Sequence, residues 1–299
     1  MSASSHTLRG TLFVLTAAVL WGTLGPLMRV LQGGGLSAVE IGFYRAALGG
    51  VTLALLARQQ GLSFPARRDY PFFALYGLVS VAAFFVLYAL SVQYNPIAVA
   101  VVLLYTAPAF VVLFSWRLFG EAVSPVKGVA LLLAFVGAAL VAGAHEPRLL
   151  ALNLPGLLTG LGSGLTYALF SIFGKFALRR HHPLSTMACA LSFGALLLVP
   201  VVFGFGEGAT PWWRDSSLAF WLLVTGVLPT AGSYALYTSG LQWLPAGRAS
   251  ILATVEPVVG AVLGWWIFGE ALSAVQVVGG GCILGAVVLL QRTTDEPPS

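Results

Sequence analysis

Two charged residues stand inside apolar runs of this 299-residue chain: Arg45 within GFYRAALGG and Glu256 within ILATVEPVVG. A charge at bilayer depth costs about 3 kcal/mol or more unless it is paired or hydrated, so each is a functional-site candidate by default. Opposite charges at similar depth have two uses. They can pair with each other and fix two helices, or they can hold the carboxylate and the ammonium of a zwitterion separately. Glu256 alone offers a third use: it can bind a proton and a substrate cation in turn, as coupling to a proton gradient requires. Pro257 follows it and cannot donate to the carbonyl of Ala253, which leaves an acceptor free. On an ideal helix Thr254 and Glu256 are about 200° apart, so both face one cavity only if the proline turns one of them.

Hydroxyls and rings extend the candidate site. Thr230, Ser233, Tyr234 and Tyr237 fall on one helical face, as do Tyr76, Ser80, Phe84, Tyr88 and Ser91. Ser163, Thr166, Tyr167, Phe170 and Gly174 form a third stripe. Turned toward lipid, such stripes would leave hydroxyls unsatisfied, so they should face the interior of a helix bundle. Any one hydroxyl is accounted for by interhelical hydrogen bonding. The three stripes together, with Tyr105, point to a shared cavity in which Tyr88 and Tyr237 face one water-filled space near Tyr167. The small-residue ladders Gly156–Gly160–Gly164, Gly260–Gly264 and Gly281–Gly285 read as close helix approach and carry no chemistry.

The elements that position these residues must be membrane helices. The chain is 58% apolar and 8% charged, with a mean hydropathy of +0.91, far from the roughly 25% charge of a soluble domain. Breaks at Gly, Pro and charge clusters predict ten helices over 8–31, 36–58, 70–94, 96–117, 124–144, 154–178, 183–205, 217–241, 246–268 and 272–291. The charged intervals 58–70 and 204–217 are too short to fold as domains, so a soluble catalytic or nucleic-acid-binding module is excluded. The first apolar segment is too long for a signal peptide and reads as a retained helix. Cys189 and Cys282 sit in apolar runs and read as buried hydrophobes.

Charge sets the expected orientation. With the N-terminus inside, inner segments carry Arg9, Arg58, Arg67, Arg68, Arg117, Lys127, Lys175, Arg179, Arg180, Arg248 and Arg292. Outer segments carry Arg29, Arg148 and Arg214, which predicts both termini in the cytoplasm. The net charge of +5 thus belongs to orientation and not to nucleic acid. The histidines (His6, His145, His181, His182) lie in termini or loops away from metal-ligand spacing, and no P-loop, HExxH or GxSxG string occurs. A membrane-embedded enzyme would need catalytic groups clustered at one interface. Neither a catalytic residue, a metal nor a cofactor is expected, and the partners are lipid and a small molecule.

A shift of 149 positions aligns 95–124 with 244–273, with identity at ten of thirty positions. Pro96 meets Pro245, Pro108 meets Pro257, Trp116 meets Trp265, and FGEA recurs at 119–122 and 268–271. Five helices per half require the second half, 147–299, to be inverted relative to the first, 1–146, a layout that places substrate sites near the bilayer midplane. Glu121 and Glu270 of FGEA read as helix-end or loop-capping carboxylates. These halves, the FGEA segments and the string Thr254-Val255-Glu256-Pro257 resemble the drug/metabolite transporter superfamily in its EamA-type branch. The resemblance covers nearly the whole chain. It implies a secondary transporter of the bacterial cytoplasmic membrane, often an exporter of amino acids or other metabolites, aromatic amino acids among them. On that expectation Arg45 meets a carboxylate, Glu256 an ammonium, and the rings a side chain. A hydrophobic cation or drug held by Glu256 among rings is the alternative.

Overall fold

The computed structural model describes residues 3–144, 153–204 and 210–291, and no strand occurs among them. Ten helical segments follow in order: α1 Ser5–Gly33, α2 Ala38–Gln59, α3 Arg67–Tyr94, α4 Ile97–Phe119, α5 Pro125–Val141, α6 Leu154–Ala177, α7 Pro183–Gly204, α8 Ser216–Gly240, α9 Ala246–Phe268 and α10 Ala274–Gln291. Among the described residues nine of these are long and apolar enough to cross a bilayer. α5, with 17 residues, is the shorter one; it stops at Val141, before the expected end at 144, in a turn at Gly143. Arg148, Arg292, His145 and the boundary between the two halves lie outside the described residues.

Local sequence sets the helix starts. Ser37 caps α2 in a capping box with Glu40, Ser124 caps α5 ahead of Pro125, Asn153 caps α6 ahead of Pro155, and Asp215 caps α8. Each side-chain oxygen accepts from an N–H that a helix start leaves without a partner. Prolines interrupt three segments. α1 breaks at Thr23, three residues before Pro26; α4 breaks at 105–106 before Pro108; α9 breaks at 254–255 before Pro257. A proline offers no N–H to the carbonyl four residues back, so the helix restarts.

Several backbone features recur 149 residues apart. The two halves of α4, Ile97–Leu104 and Ala107–Phe119, match Ala246–Ala253 and Glu256–Phe268 of α9. Gly120 and Gly269 end these helices in the left-handed region, at φ 68° and 67°, where a side chain would be strained. Wide π turns occupy Leu78–Ala83 of α3 and Val227–Gly232 of α8. Such a turn takes up about 100°, which offsets the drift of a four-residue spacing and keeps Tyr76 and Tyr88 near one face of α3.

Contacts sort the connections onto two ends. The Arg9 guanidinium lies 4.8 Å from the Trp243 ring, Arg179 lies 5.6 Å from the Phe119 ring, His181 is 3.6 Å from Asp69, and Glu121 reaches Ala246. The start of α1 and four connections therefore share one end, the basic face. At the opposite face Arg29 meets Glu270, Glu40 accepts from Thr210, and Asn153 donates to the Tyr94 carbonyl.

Between these faces α10 lies along α5 and α7 lies along α2. Gly160 and Gly164 do admit α4, through Leu103 and Thr106, and Gly156 admits Asn95 of the connection before it. The Gly281–Gly285 ladder does not bring helices together: a side chain added at either would meet open space. In α10 the close approach is two residues before Gly281, on another face, where Gly279 lies against the backbone of Gly137 in α5. Small residues at ladder spacing mark an available face, and only the neighbouring helix decides whether it is used.

Candidate functional site

The site forms where the interrupted helices cross. Arg45 is buried in α2, and its Nε donates to the Thr230 Oγ1 at 3.1 Å. Thr230 in turn donates to the Thr225 carbonyl at 2.8 Å, an acceptor that the wide turn of α8 displaces from regular helical pairing. The guanidinium also rests 5.2 Å from the Phe85 ring. One edge is thus anchored, while Tyr234 and Glu256 remain within its electrostatic reach.

Glu256 opens the second half of α9, where the positive end of a helix favours a carboxylate. The break at 254–255 releases it from the 200° separation expected on a continuous helix. Thr254 turns back to the Ile251 carbonyl at 2.6 Å, and only Glu256 projects. Tyr105, at the matching break of α4, stands beside its carboxylate. Tyr88 and Tyr167 complete the charged neighbourhood. Glu256 is half-buried, with groups from α2, α3, α4, α6 and α8 within its electrostatic reach. Arg45 and Glu256 make no ion pair within 4.0 Å. The two charges face one region without neutralising each other by contact.

Rings wall that region. Trp21, at the end of the first half of α1, meets Tyr234 edge-on at 5.6 Å, Tyr237 at 5.2 Å and Tyr167 at 6.3 Å. Phe84 stacks between Tyr88 (6.1 Å) and Tyr167 (5.5 Å). Phe170 closes one side against Tyr234 at 5.0 Å and Tyr76 at 5.9 Å.

The hydroxyls divide into two groups. Those of Tyr76 and Tyr237 are engaged, the first donating to the Phe170 carbonyl at 2.9 Å and the second 2.7 Å from Ser171 Oγ. Tyr88, Tyr167 and Tyr234 make no hydrogen bond of 3.5 Å or less among the described residues, so three hydroxyls remain available.

Some expected lining residues stand apart. Ser163 is buried and donates to the Gly160 carbonyl of its own helix at 2.7 Å, which is a packing role. Ser80 is buried in the wide turn with its hydroxyl unpartnered. Tyr167 and Tyr237 line a common small void, and Tyr88 is not among its lining residues. That void, of about 10 Å³, is bordered by Tyr237 and Tyr167 with Pro108, Val111, Ser171 and Ser250, and has room for about one water. Tyr167 is the link between Tyr88 and Tyr237, through Phe84 on one side and Trp21 on the other. Trp21 itself escaped sequence reasoning. Its one signal is its place just before a helix break, which does not distinguish it from the lipid-facing tryptophans.

The profile of the EamA-like transporter family matches residues 8–143 and again residues 154–292. The chain belongs to the EamA-like transporter family. A transporter of Archaeoglobus fulgidus is 29% identical over 283 residues, covering 95% of this chain and 96% of that one. The threonine/homoserine exporter RhtA of Escherichia coli K12 is 31% identical over 242 residues, covering 81% and 78%. The inner membrane transporter YicL of Salmonella typhimurium is 25% identical over 95% of both chains. A crystal structure superposes with a TM-score of 0.80 over 97% of both chains at 20% identity, and so shares the fold. The family match and these relatives make the protein a multi-pass membrane transporter.

Proposed function

We propose that the protein exports a small neutral amino acid, with an apolar or aromatic side chain, by alternating access. Arg45 takes the carboxylate, Glu256 the ammonium, and Trp21, Tyr88, Tyr167 and Tyr234 surround the side chain. The observation that carries this reading is the separation of the charges: they reach one aromatic-walled region from α2 and α9 without touching. The exporter RhtA, whose name specifies two amino acids, supports the class of cargo. A hydrophobic cation is the second reading, favoured by the rings around Glu256. Arg45 weighs against it, because a guanidinium in the same region repels a cation.

The architecture that serves this function is two inverted five-helix halves, about 1–146 and 147–299, with α5 as the tenth span. The features repeated 149 residues apart support that pairing. The basic face is cytoplasmic, both termini lie there, and the membrane is the bacterial inner membrane, as the charge bias and the name of YicL support. Glu256 is the group through which a proton gradient would drive export.

Flux competition in proteoliposomes tests the cargo. Uptake of labelled phenylalanine should be suppressed by excess leucine, threonine or phenylalanine and unaffected by tetraphenylphosphonium. Suppression by the organic cation alone would overturn the amino-acid reading in favour of the second.

A further inference from the structure

The FGEA segments take no part in the site, yet the structure uses them unequally. Glu121, in the α4–α5 connection, does not cap its own helix. It crosses to the other half of the chain, where its carboxylate accepts from the Ala246 N–H at 2.6 Å and the Gly247 N–H at 3.1 Å. These are the first two residues of α9, whose N–H groups have no helical partner. Glu121 is 8% exposed, and buried Lys127 lies 4.0 Å from its Oε2. Around this contact the basic face is closed: all eight residues of Ala246–Ala253 are buried, and they lie against Ala107–Phe119 of α4.

A shift of 149 converts each participant into its counterpart at the opposite face. Glu121 becomes Glu270, and Ala246 and Gly247 become Ile97 and Ala98, the first residues of α4. There the contact is absent. Glu270 pairs instead with Arg29, and both side chains are about half exposed, 48% and 57%. The Ile97 and Ala98 N–H groups have no partner among the described residues, and Ile97 is 67% exposed. In Glu256–Phe268 only Gly264 is buried, whereas five residues are buried in the matching Ala107–Phe119.

We propose that Glu121 and Glu270 are alternating latches: each closes its own face by binding the first two N–H groups of the half-helix that starts there, and one releases as the other engages. This rests on the alternating-access reading above. The conformation described here is latched at the basic face by Glu121 and open at the opposite face, where Arg29 holds Glu270 away from α4. In the reverse state Glu270 leaves Arg29 for the Ile97 and Ala98 N–H groups, and Glu121 leaves Ala246 and Gly247. A carboxylate on two helix-start N–H groups is a strong, charge-assisted contact that breaks cleanly when the helix end moves away. The counter-charges differ as well: Lys127 stands beside Glu121, while its counterpart Gln276 is neutral and occupied with Ser273 and Val141.

Thiol labelling with a small hydrophilic maleimide in nanodiscs, without substrate, tests the latches; both faces are then accessible, so orientation and cargo do not enter. Reporters at the equivalent positions Val101→Cys and Ser250→Cys are placed singly in a Cys189→Ala, Cys282→Ala background. In the parent, Val101→Cys should react faster than Ser250→Cys. Glu121→Gln should raise the Ser250→Cys rate about tenfold and lower that of Val101→Cys. Arg29→Gln, an exposed change that frees Glu270 to latch, should shift both rates in the same direction. Glu270→Gln should shift them oppositely. The proposal is overturned if Glu121→Gln speeds both positions together, which is loosening of the fold. It is equally overturned if Arg29→Gln and Glu270→Gln leave both rates within about twofold of the parent. Failure of the amino-acid competition with these rate shifts intact would indict the cargo and leave the latches standing.

Discussion

At the basic face, the FGEA segment at 119–122 delivers a buried carboxylate to the start of a helix 125 residues away; at the opposite face, the same four residues at 268–271 leave theirs in an exposed pair with Arg29. The local backbone is the same at both, with Gly120 and Gly269 differing by 1° in φ and in ψ. What differs is the helix that comes to meet the loop. Sequence identity fixes the shape of the connection, and the approach of the other half decides whether that shape becomes a contact. A transporter with one site between two equivalent closures can be closed at one while open at the other.

The largest contrast should appear in stability. Glu121→Ala leaves buried Lys127 and two helix-start N–H groups without their carboxylate and should cost about 3 kcal/mol, whereas Glu270→Ala breaks an exposed pair and should cost less than about 1 kcal/mol. Thermal midpoints in detergent measure both. Equal losses would break the contrast between a buried and an exposed latch. A control sharpens it: Gly120→Ala and Gly269→Ala should cost about 1 kcal/mol each and about equally, because both need the left-handed conformation and both face open space.

Inside the bundle the contrast is between engaged and available tyrosine hydroxyls. Tyr237→Phe removes the hydroxyl that meets Ser171 and should lower stability by about 1 kcal/mol with little effect on transport affinity. Tyr234→Phe removes a hydroxyl without a partner among the described residues, so stability should hold while the KM for flux rises. The reverse pattern would place the substrate on the basic-face side of Trp21. Equilibrium unfolding and concentration-dependent flux separate the two.

Helix positions, the two charges and the FGEA repeat are legible in the sequence because each rests on composition or spacing along one segment. Pro257 even signals the break at 254–255, whereas the break at 105–106 before Pro108 goes unread in a segment that looks like one continuous helix. The wide turns are not legible, since LVSVAA and VLPTAG carry no shared residue pattern. Nor is the partner of Glu121, which lies across the fold and is chosen by the meeting of α4 and α9. Periodicity identifies a face without identifying what that face meets. For that reason Gly281 and Gly285 read as a helix contact and are open, and Ser163 reads as lining and is packed. Trp21 shows the same gap from the other side: a central wall residue has the same sequence signature as Trp266 on the outside, which is 74% exposed.

The central claim is that Arg45 and Glu256 act as separate receptors for the two ends of one zwitterion. A substrate-by-mutant cycle tests it most directly, measuring proteoliposome exchange flux of phenylalanine, N-acetylphenylalanine and phenylalaninamide, at equal pH on both sides so that proton coupling through Glu256 does not enter, with the parent, Glu256→Gln and Arg45→Gln proteins. For phenylalanine each substitution should lower flux about a hundredfold, the loss of one charge-assisted contact at each end. N-acetylphenylalanine lacks the ammonium, so its residual flux should be insensitive to Glu256→Gln and still sensitive to Arg45→Gln. Phenylalaninamide lacks the carboxylate and should show the converse. If each substitution lowers flux of all three compounds by the same factor, the two charges do not divide the substrate between them and the account is wrong.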